Sequence, residues 1–267
     1  MDPHGRIRLE ELVEAIDAQT ALVTVMHANN ETGVLQPIVE LADAARAAGA
    51  VLHSDAAQAI GKVPCNVRAL QVDLLTVAGH KLYAPQGVGA LYVRNGVALV
   101  PFLRGAGHER GLRPGTENVA SIVGLGVACE CARRDLDTEG ARVRILRDRL
   151  WQRLAERIPG LALNGHAVDR LPNTLSVRFP AVSGNALLAA TPEVAASTGS
   201  ACHAGGEQAP AAIVLMGVPP HEAMGTVRLT LGRSTTLDDV DHAAAALAHA
   251  WESLARPGAA GLTSGKG

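Results

Sequence analysis

Four short apolar runs, each closing on polar or glycine residues, constrain this chain more than any other feature. Ala21-Leu22-Val23-Thr24-Val25-Met26-His27 gives way to Ala28-Asn29-Asn30-Glu31-Thr32-Gly33. Val51-Leu52-His53 leads into Ser54-Asp55-Ala56-Ala57-Gln58. Val72 to Ala78 ends at Gly79-His80-Lys81, and Val88-Gly89-Ala90-Leu91-Tyr92-Val93 follows. The first run is nearly continuous and suits a strand buried in a parallel sheet. After it, Pro37 opens a helix at its first position. Ile38, Leu41, Ala45 and Ala48 line one side of that helix, and Gly49 supplies a left-handed cap. A strand–helix–strand unit implies parallel pairing, so the fold class is α/β. Open α/β sheets bind ligands beyond the carboxyl ends of their strands. Asn30, Asp55 and Lys81 each follow a strand and therefore converge on one sheet edge. Taken singly, Asp55 reads as a turn or cap residue and Lys81 as a solvated one. Their convergence, with Gln58 one turn beyond Asp55, favours a site. A lysine amine forms Schiff bases with carbonyl cofactors and substrates.

Composition narrows the classes. With 267 residues, the chain can build a large core or two domains. A net charge of −2 makes no electrostatic case for nucleic acid or a membrane surface. Aromatic residues at 2% argue against base-stacking platforms. No apolar run approaches the ~20 residues that span a bilayer. The start, Met1-Asp2-Pro3-His4-Gly5-Arg6, has no basic-then-apolar leader pattern, so the expected location is cytoplasmic. The four cysteines, Cys65, Cys129, Cys131 and Cys202, are scattered and suggest no disulfide framework. Cys129 and Cys131 point to different sides of a helix-like stretch, and no metal site is expected.

The rest of the chain divides near Asp135 to Gly140. Leu9 to Ala18 reads as a short helix, and so does Ser121 to about Arg134. Arg104 to Asn118 is rich in glycine and arginine, yet no Gly-Lys-Ser/Thr follows, so it is not a P-loop. It reads either as a connection or as a loop offering backbone and Thr116 donors to a phosphate. Thr138 to Ile158 forms a longer helix with Val143, Leu146, Leu150, Leu154 and Ile158 on one stripe. Beyond it the pattern becomes α+β. Thr174-Leu175-Ser176-Val177-Arg178-Phe179 alternates like a half-buried strand, and Ser183 to Ala190 reads as a short helix. Cys202 sits in a glycine- and hydroxyl-rich loop beside His203, which could lower its pKa or shuttle a proton. The bland reading of Cys202 is a buried inert thiol. Cys65, after Pro64, has no such company. Val227-Arg228-Leu229-Thr230-Leu231 is a strand. Arg228 reads as a surface ion-pair partner or as a bidentate clamp on a substrate carboxylate. Thr236-Leu237-Asp238-Asp239 opens a last helix with a capping-box pattern.

Ser54-Asp55-Ala56-Ala57-Gln58 followed by Ala78-Gly79-His80-Lys81 resembles the pyridoxal-phosphate core of the cysteine desulfurase and selenocysteine lyase family, in class V of the aminotransferase-like enzymes. The spacing is part of the likeness. Lys81 lies 26 positions after Asp55, Asn30 lies 25 before it, and Arg228 lies 26 after Cys202. The resemblance runs from about Gly5 to about Ala255. It implies the fold type I of pyridoxal-phosphate enzymes, a mainly parallel sheet sandwiched by helices. Residues 1–137 would form the large cofactor-binding domain and 138–256 a smaller α+β domain with the cysteine loop. Residues 257–267 would be a disordered tail.

The resemblance also implies roles. Lys81 would hold pyridoxal 5'-phosphate and take the substrate's α-proton. Asp55 would pair with the pyridine nitrogen and keep it protonated. Gln58 would hydrogen-bond the phenolic oxygen, with Asn30 near that oxygen and the substrate. His80 would contact the phosphate, and Thr116 the phosphate of a neighbouring subunit's cofactor. Arg228 would bind the substrate carboxylate, and Cys202 would attack the substrate's sulfur and carry it as a persulfide. The implied reaction turns L-cysteine into L-alanine and enzyme-bound sulfur, or L-selenocysteine into alanine and selenide. The implied partners are a second copy in a homodimer and a sulfur-acceptor protein, as in iron–sulfur cluster assembly.

Two departures stand out. Ala78 replaces a hydroxyl residue that touches the phosphate in many relatives, a hydrogen bond to a charged group of ~1.5–3 kcal/mol. The family's amino-terminal segment, with its phosphate-cradling turn and ring-stacking histidine, has no counterpart here. A truncated gene or misplaced start is the expectation, and a sheet built without that segment would expose apolar surface and strand edges. The alternatives are a non-catalytic remnant acting through another chain, and a class V aminotransferase with a different substrate. The thiol of Cys202 argues against the latter, since transamination needs none.

Overall fold

The computed structural model describes residues 1–199 and 208–256. The chain forms two compact units. Ile7–Ala28 and Gln36–Leu136 make the first; Met1–Arg6, Asn29–Leu35 and the chain from Asp137 make the second.

The first unit is built on a four-stranded sheet. Its strands are β1 (Leu22–Met26), β2 (Val51–Asp55), β3 (Leu74–Ala78) and β4 (Gly89–Val93), in that spatial order. β1, β2 and β3 pair in parallel, and β4 runs antiparallel to β3. Helix α1 (Leu9–Ala15) precedes β1, and α2 (Ile38–Ala47) makes the crossover to β2. The predicted apolar side of α2 is the buried one, with Ile38, Leu41 and Ala45 inside. Its chain reverses at Gly49, whose φ of +75° is the left-handed conformation that favours glycine. Leu52 and Val72 complete this core.

One side chain ties three strands together. The His53 ring on β2 hydrogen-bonds Thr24 on β1 through Nδ1 at 2.7 Å, and Thr76 on β3 through Nε2 at 2.8 Å. Because Asp55 opposes Thr76 in the β2–β3 ladder, this clamp fixes the register that carries Asp55.

β1 departs from expectation. It is an edge strand, with Leu22 50% and Met26 40% exposed, although its sequence suits a buried one. Only Val23 is fully enclosed, because a single strand flanks β1 among the described residues. Phe102 at 96% and Val100 at 86% are also open to solvent.

In the second unit an antiparallel sheet has the order β5 (Ala162–Leu163), β6 (Thr174–Arg178), β7 (Thr226–Thr230). Around it lie α4 (Gly184–Ala189), α5 (Ala211–Leu215), α6 (Pro220–Ala223) and α7 (Leu237–Ala255). Leu150, Leu154, Val177, Phe179, Val227 and Leu247 lie in one core. The predicted capping box at the start of α7 is present. The Thr236 hydroxyl accepts from Asp239 N at 3.1 Å, and Thr236 N donates to the Asp239 carboxylate at 2.8 Å. β6 is not half-buried. Its polar residues Thr174 and Ser176 are enclosed as fully as Leu175 and Val177. The buried amide of Asn164 donates to Ser176 Oγ at 3.1 Å, which satisfies that polar side.

The two helices expected around Asp135 to Gly140 are one, α3 (Val119–Arg157). No proline interrupts it, and each of its three glycines, Gly124, Gly126 and Gly140, costs only about 1 kcal/mol relative to alanine. On α3, Leu154 is fully buried and Ile145 is 68% exposed. Leu154→Ala should therefore lower unfolding free energy by about 2–5 kcal/mol in urea denaturation, and Ile145→Ala should change it by less than about 0.5 kcal/mol.

Candidate active site

In the first unit the site grows from the β2–β3 pairing. Asp55 closes β2, and its Oδ1 accepts from Ala57 N at 2.8 Å, a turn that starts the segment bearing Gln58. Lys81 and His80 lie in the short 3₁₀ turn Gly79–Leu82 that closes β3. Parallel pairing puts both groups at the same end of the sheet. Glycine is required where this turn begins. A Cβ on Gly79 would stand 2.7 Å from the Val88 carbonyl oxygen, and one on Gly89 would stand 2.6 Å from that of Val77. Tyr83 then closes the turn in the left-handed region at φ +68°. Leu82 is buried against Ile60 and Leu125, so the turn is anchored next to its exposed lysine.

The reactive atoms of this group are uncommitted. Among the described residues, the second carboxylate oxygen of Asp55, the Gln58 amide, the His80 ring and the Lys81 amine make no hydrogen bond. Thr116 is exposed on the loop before α3.

The second unit holds the other two predicted residues together. Arg228 on β7 donates from Nη1 to the Asn30 carbonyl at 2.8 Å. Its backbone pairs with Ser197, with Arg228 N to Ser197 O at 2.6 Å and Ser197 N to Arg228 O at 3.2 Å. The segment that leads toward Cys202 is thus fastened to the strand of Arg228. Cys202 itself lies outside the described residues.

Sequence reasoning missed the residue that shapes the Asn30 loop. Asn29 Oδ1 accepts from Glu31 N at 2.9 Å, Thr32 N at 2.8 Å and Thr32 Oγ1 at 3.1 Å. Arg170, buried at 4% exposure, donates to the Thr32 carbonyl at 2.8 Å, and Leu171 N donates to that of Gly33 at 2.8 Å. The signal was available, since asparagine before a glycine turn commonly caps its own loop.

Cys65 has more company than expected. Its Sγ lies 3.6 Å from His27 Nδ1 and donates to the Val63 carbonyl at 3.3 Å. Burial pushes its thiol up to about 12 and lowers His27, so it is protonated and unreactive at neutral pH. Among the described residues no cluster of histidine, cysteine and carboxylate side chains suits a metal ion. Nor is any helix among them long and apolar enough to cross a membrane.

A mainly parallel sheet that carries an aspartate and a lysine at one end of adjacent strands is an arrangement of pyridoxal-phosphate fold type I. The sequence model of the family described as "Aminotransferase class-V" matches residues 1–243, and the chain belongs to that family. This family depends on pyridoxal phosphate. Over 243 residues the chain is 47% identical to a cysteine desulfurase of Gluconacetobacter diazotrophicus, covering 90% of this chain and 61% of that protein. It is 44% identical over 243 residues to the cysteine desulfurase NifS of Azotobacter vinelandii, covering 90% and 60%. Among solved structures, a NifS-like protein from Rickettsia africae is 30% identical, with a TM-score of 0.86 over 94% of this chain and 68% of that one. The chain spans about three fifths of the length of the curated relatives it matches.

The Asn29 bonds separate two neighbouring asparagines. Asn29→Ala should destabilise the protein by about 1–3 kcal/mol through the lost loop bonds. Asn30→Ala, whose side chain makes no hydrogen bond among the described residues, should stay within about 0.5 kcal/mol. Urea denaturation of both variants checks this.

Proposed function

We propose that this chain carries the catalytic core of a pyridoxal-phosphate-dependent cysteine desulfurase. The observation that carries this reading is the set of uncommitted groups on Asp55, Gln58, His80 and Lys81 at one end of β2 and β3. Those groups fit the cofactor. An amine can hold its aldehyde carbon, a carboxylate can face its ring nitrogen, an amide can meet its phenolic oxygen and an imidazole its phosphate. When bound, pyridoxal phosphate supplies an electron sink for charge developing at a substrate's α-carbon.

The chain's own residues do the rest. Lys81 Nζ anchors the cofactor and moves the substrate's α-proton. The free oxygen of Asp55 holds a proton on the ring nitrogen by opposing its charge. Arg228 keeps one N–H on the Asn30 carbonyl and turns the remaining guanidinium donors to the substrate carboxylate. That internal bond restricts the guanidinium before substrate arrives, so little rotamer freedom is lost on binding. The Cys202 thiolate attacks the sulfur of L-cysteine. The new S–S bond forms as the carbon–sulfur bond breaks, its electron pair stays on the carbon skeleton, and protonation there yields alanine. Cys65 does not compete as nucleophile, because burial holds its thiol up to about 12. Thr116 serves the cofactor phosphate of a second copy in a homodimer.

The names of the relatives support cysteine as substrate over an unrelated amino donor. The 267-residue chain with added pyridoxal phosphate is expected to show the visible absorption of lysine-bound cofactor, and Lys81→Ala to lose it. Cys202→Ala is expected to keep the absorption and to lower alanine formation from cysteine by at least about 100-fold, as loss of an essential nucleophile does. Parent-rate desulfuration by Cys202→Ala would disprove the nucleophile assignment.

A further inference from the structure

Lys62 is a second lysine built against the first. Six residues after Asp55, the chain turns at Gly61 with φ +72°, and Lys62 N donates to the Ala59 carbonyl at 2.9 Å. A Cβ on Gly61 would meet that of Ala132 at 3.1 Å, so the turn lies close against α3. From there Lys62 Nζ donates to the main-chain carbonyl of Lys81 at 3.2 Å. The two segments approach a second time: a Cβ on Gly61 would stand 3.7 Å from that of Leu82, and Ile60 packs against the apolar cluster that contains Leu82. Two independent contacts, one polar and one apolar, therefore fix Lys62 beside the lysine turn.

We propose that Lys62 is a positioning residue for Lys81, holding the turn through the Lys81 carbonyl and placing a positive charge beside the cofactor-bearing segment. The proposal rests on reading Lys81 as the cofactor-bearing lysine. Lys62 carries the mark of the coupling. Burial and then the Lys81 charge push it down to about 8. The other titratable group bearing on it is Cys65, whose thiol is neutral below about 12.

The chain has three lysines, Lys62, Lys81 and Lys266, so lysine-selective ¹³C labelling gives three signals that substitution assigns. In the full chain without cofactor, Lys62 should titrate near 8. Lys81→Met should raise the Lys62 midpoint. With pyridoxal phosphate added, the pH midpoint of the visible band should rise by ~0.5 unit in both Lys62→Met and Lys62→Gln, the size of a like-charge interaction across a few ångströms of water-like medium. Lys62→Arg should keep the parent midpoint. An ordinary Lys62 titration that ignores Lys81→Met would overturn the proposal, as would an unmoved band in Lys62→Met and Lys62→Gln. A parent chain that forms no visible band would contradict the cofactor reading of Lys81 instead, and the Lys62 titration in the parent and in Lys81→Met would still decide the coupling.

Discussion

The parallel pairing of β2 with β3 is the constraint on which the rest depends. Side chains alternate along a strand, so a slip of one residue would turn Asp55 and His53 to the opposite face together. His53, bonded to Thr24 on one side and Thr76 on the other, makes such a slip cost two side-chain hydrogen bonds at once. With the register held, Asp55 stands opposite Thr76, and the chain has only two more strand residues before it breaks at Gly79. The carboxylate and the lysine turn thus emerge at one sheet end by geometry and need no contact with each other to be placed there.

The break at Gly79 has its own physical cause. β3 and β4 approach so closely at their shared end that neither Gly79 nor Gly89 has room for a Cβ. That approach stops β3, forces the short 3₁₀ turn and leaves Leu82 pointing into apolar surroundings while Lys81 stays exposed. In the second unit, a different device holds Arg228 and the loop of Asn30. The Arg228 guanidinium is held by the Asn30 carbonyl, and the loop bearing Asn30 is itself held by the Asn29 side chain and by buried Arg170. Precision at such a site comes from the residues behind it.

Much of this was legible in the sequence. The apolar runs and the helix between Pro37 and Gly49 define the parallel unit, because periodicity and chain-reversing residues agree there. The capping box at Thr236 was equally plain, since it needs only local side chains. What failed depended on tertiary surroundings. β1 reads as buried, yet is an edge, because pattern records a strand's apolar character and not how many neighbours it has. β6 reads as half-buried, yet Asn164, 12 residues earlier, satisfies its polar side from within. Cys65 reads as solitary because His27 is 38 residues away along the chain. The Lys62–Lys81 contact escaped notice for the same reason, bridging 19 residues.

The central claim is that Lys81 holds the cofactor, and one covalent measurement tests it most directly. The 267-residue chain would be incubated with pyridoxal phosphate, reduced with borohydride to trap any lysine-bound cofactor, and mapped by peptide mass spectrometry. With three lysines in the chain, the outcome is unambiguous. The account predicts a pyridoxyl label on the peptide containing Lys81 and none above background on those containing Lys62 or Lys266. A label concentrated on Lys62, or no label on Lys81 in folded protein, would contradict it.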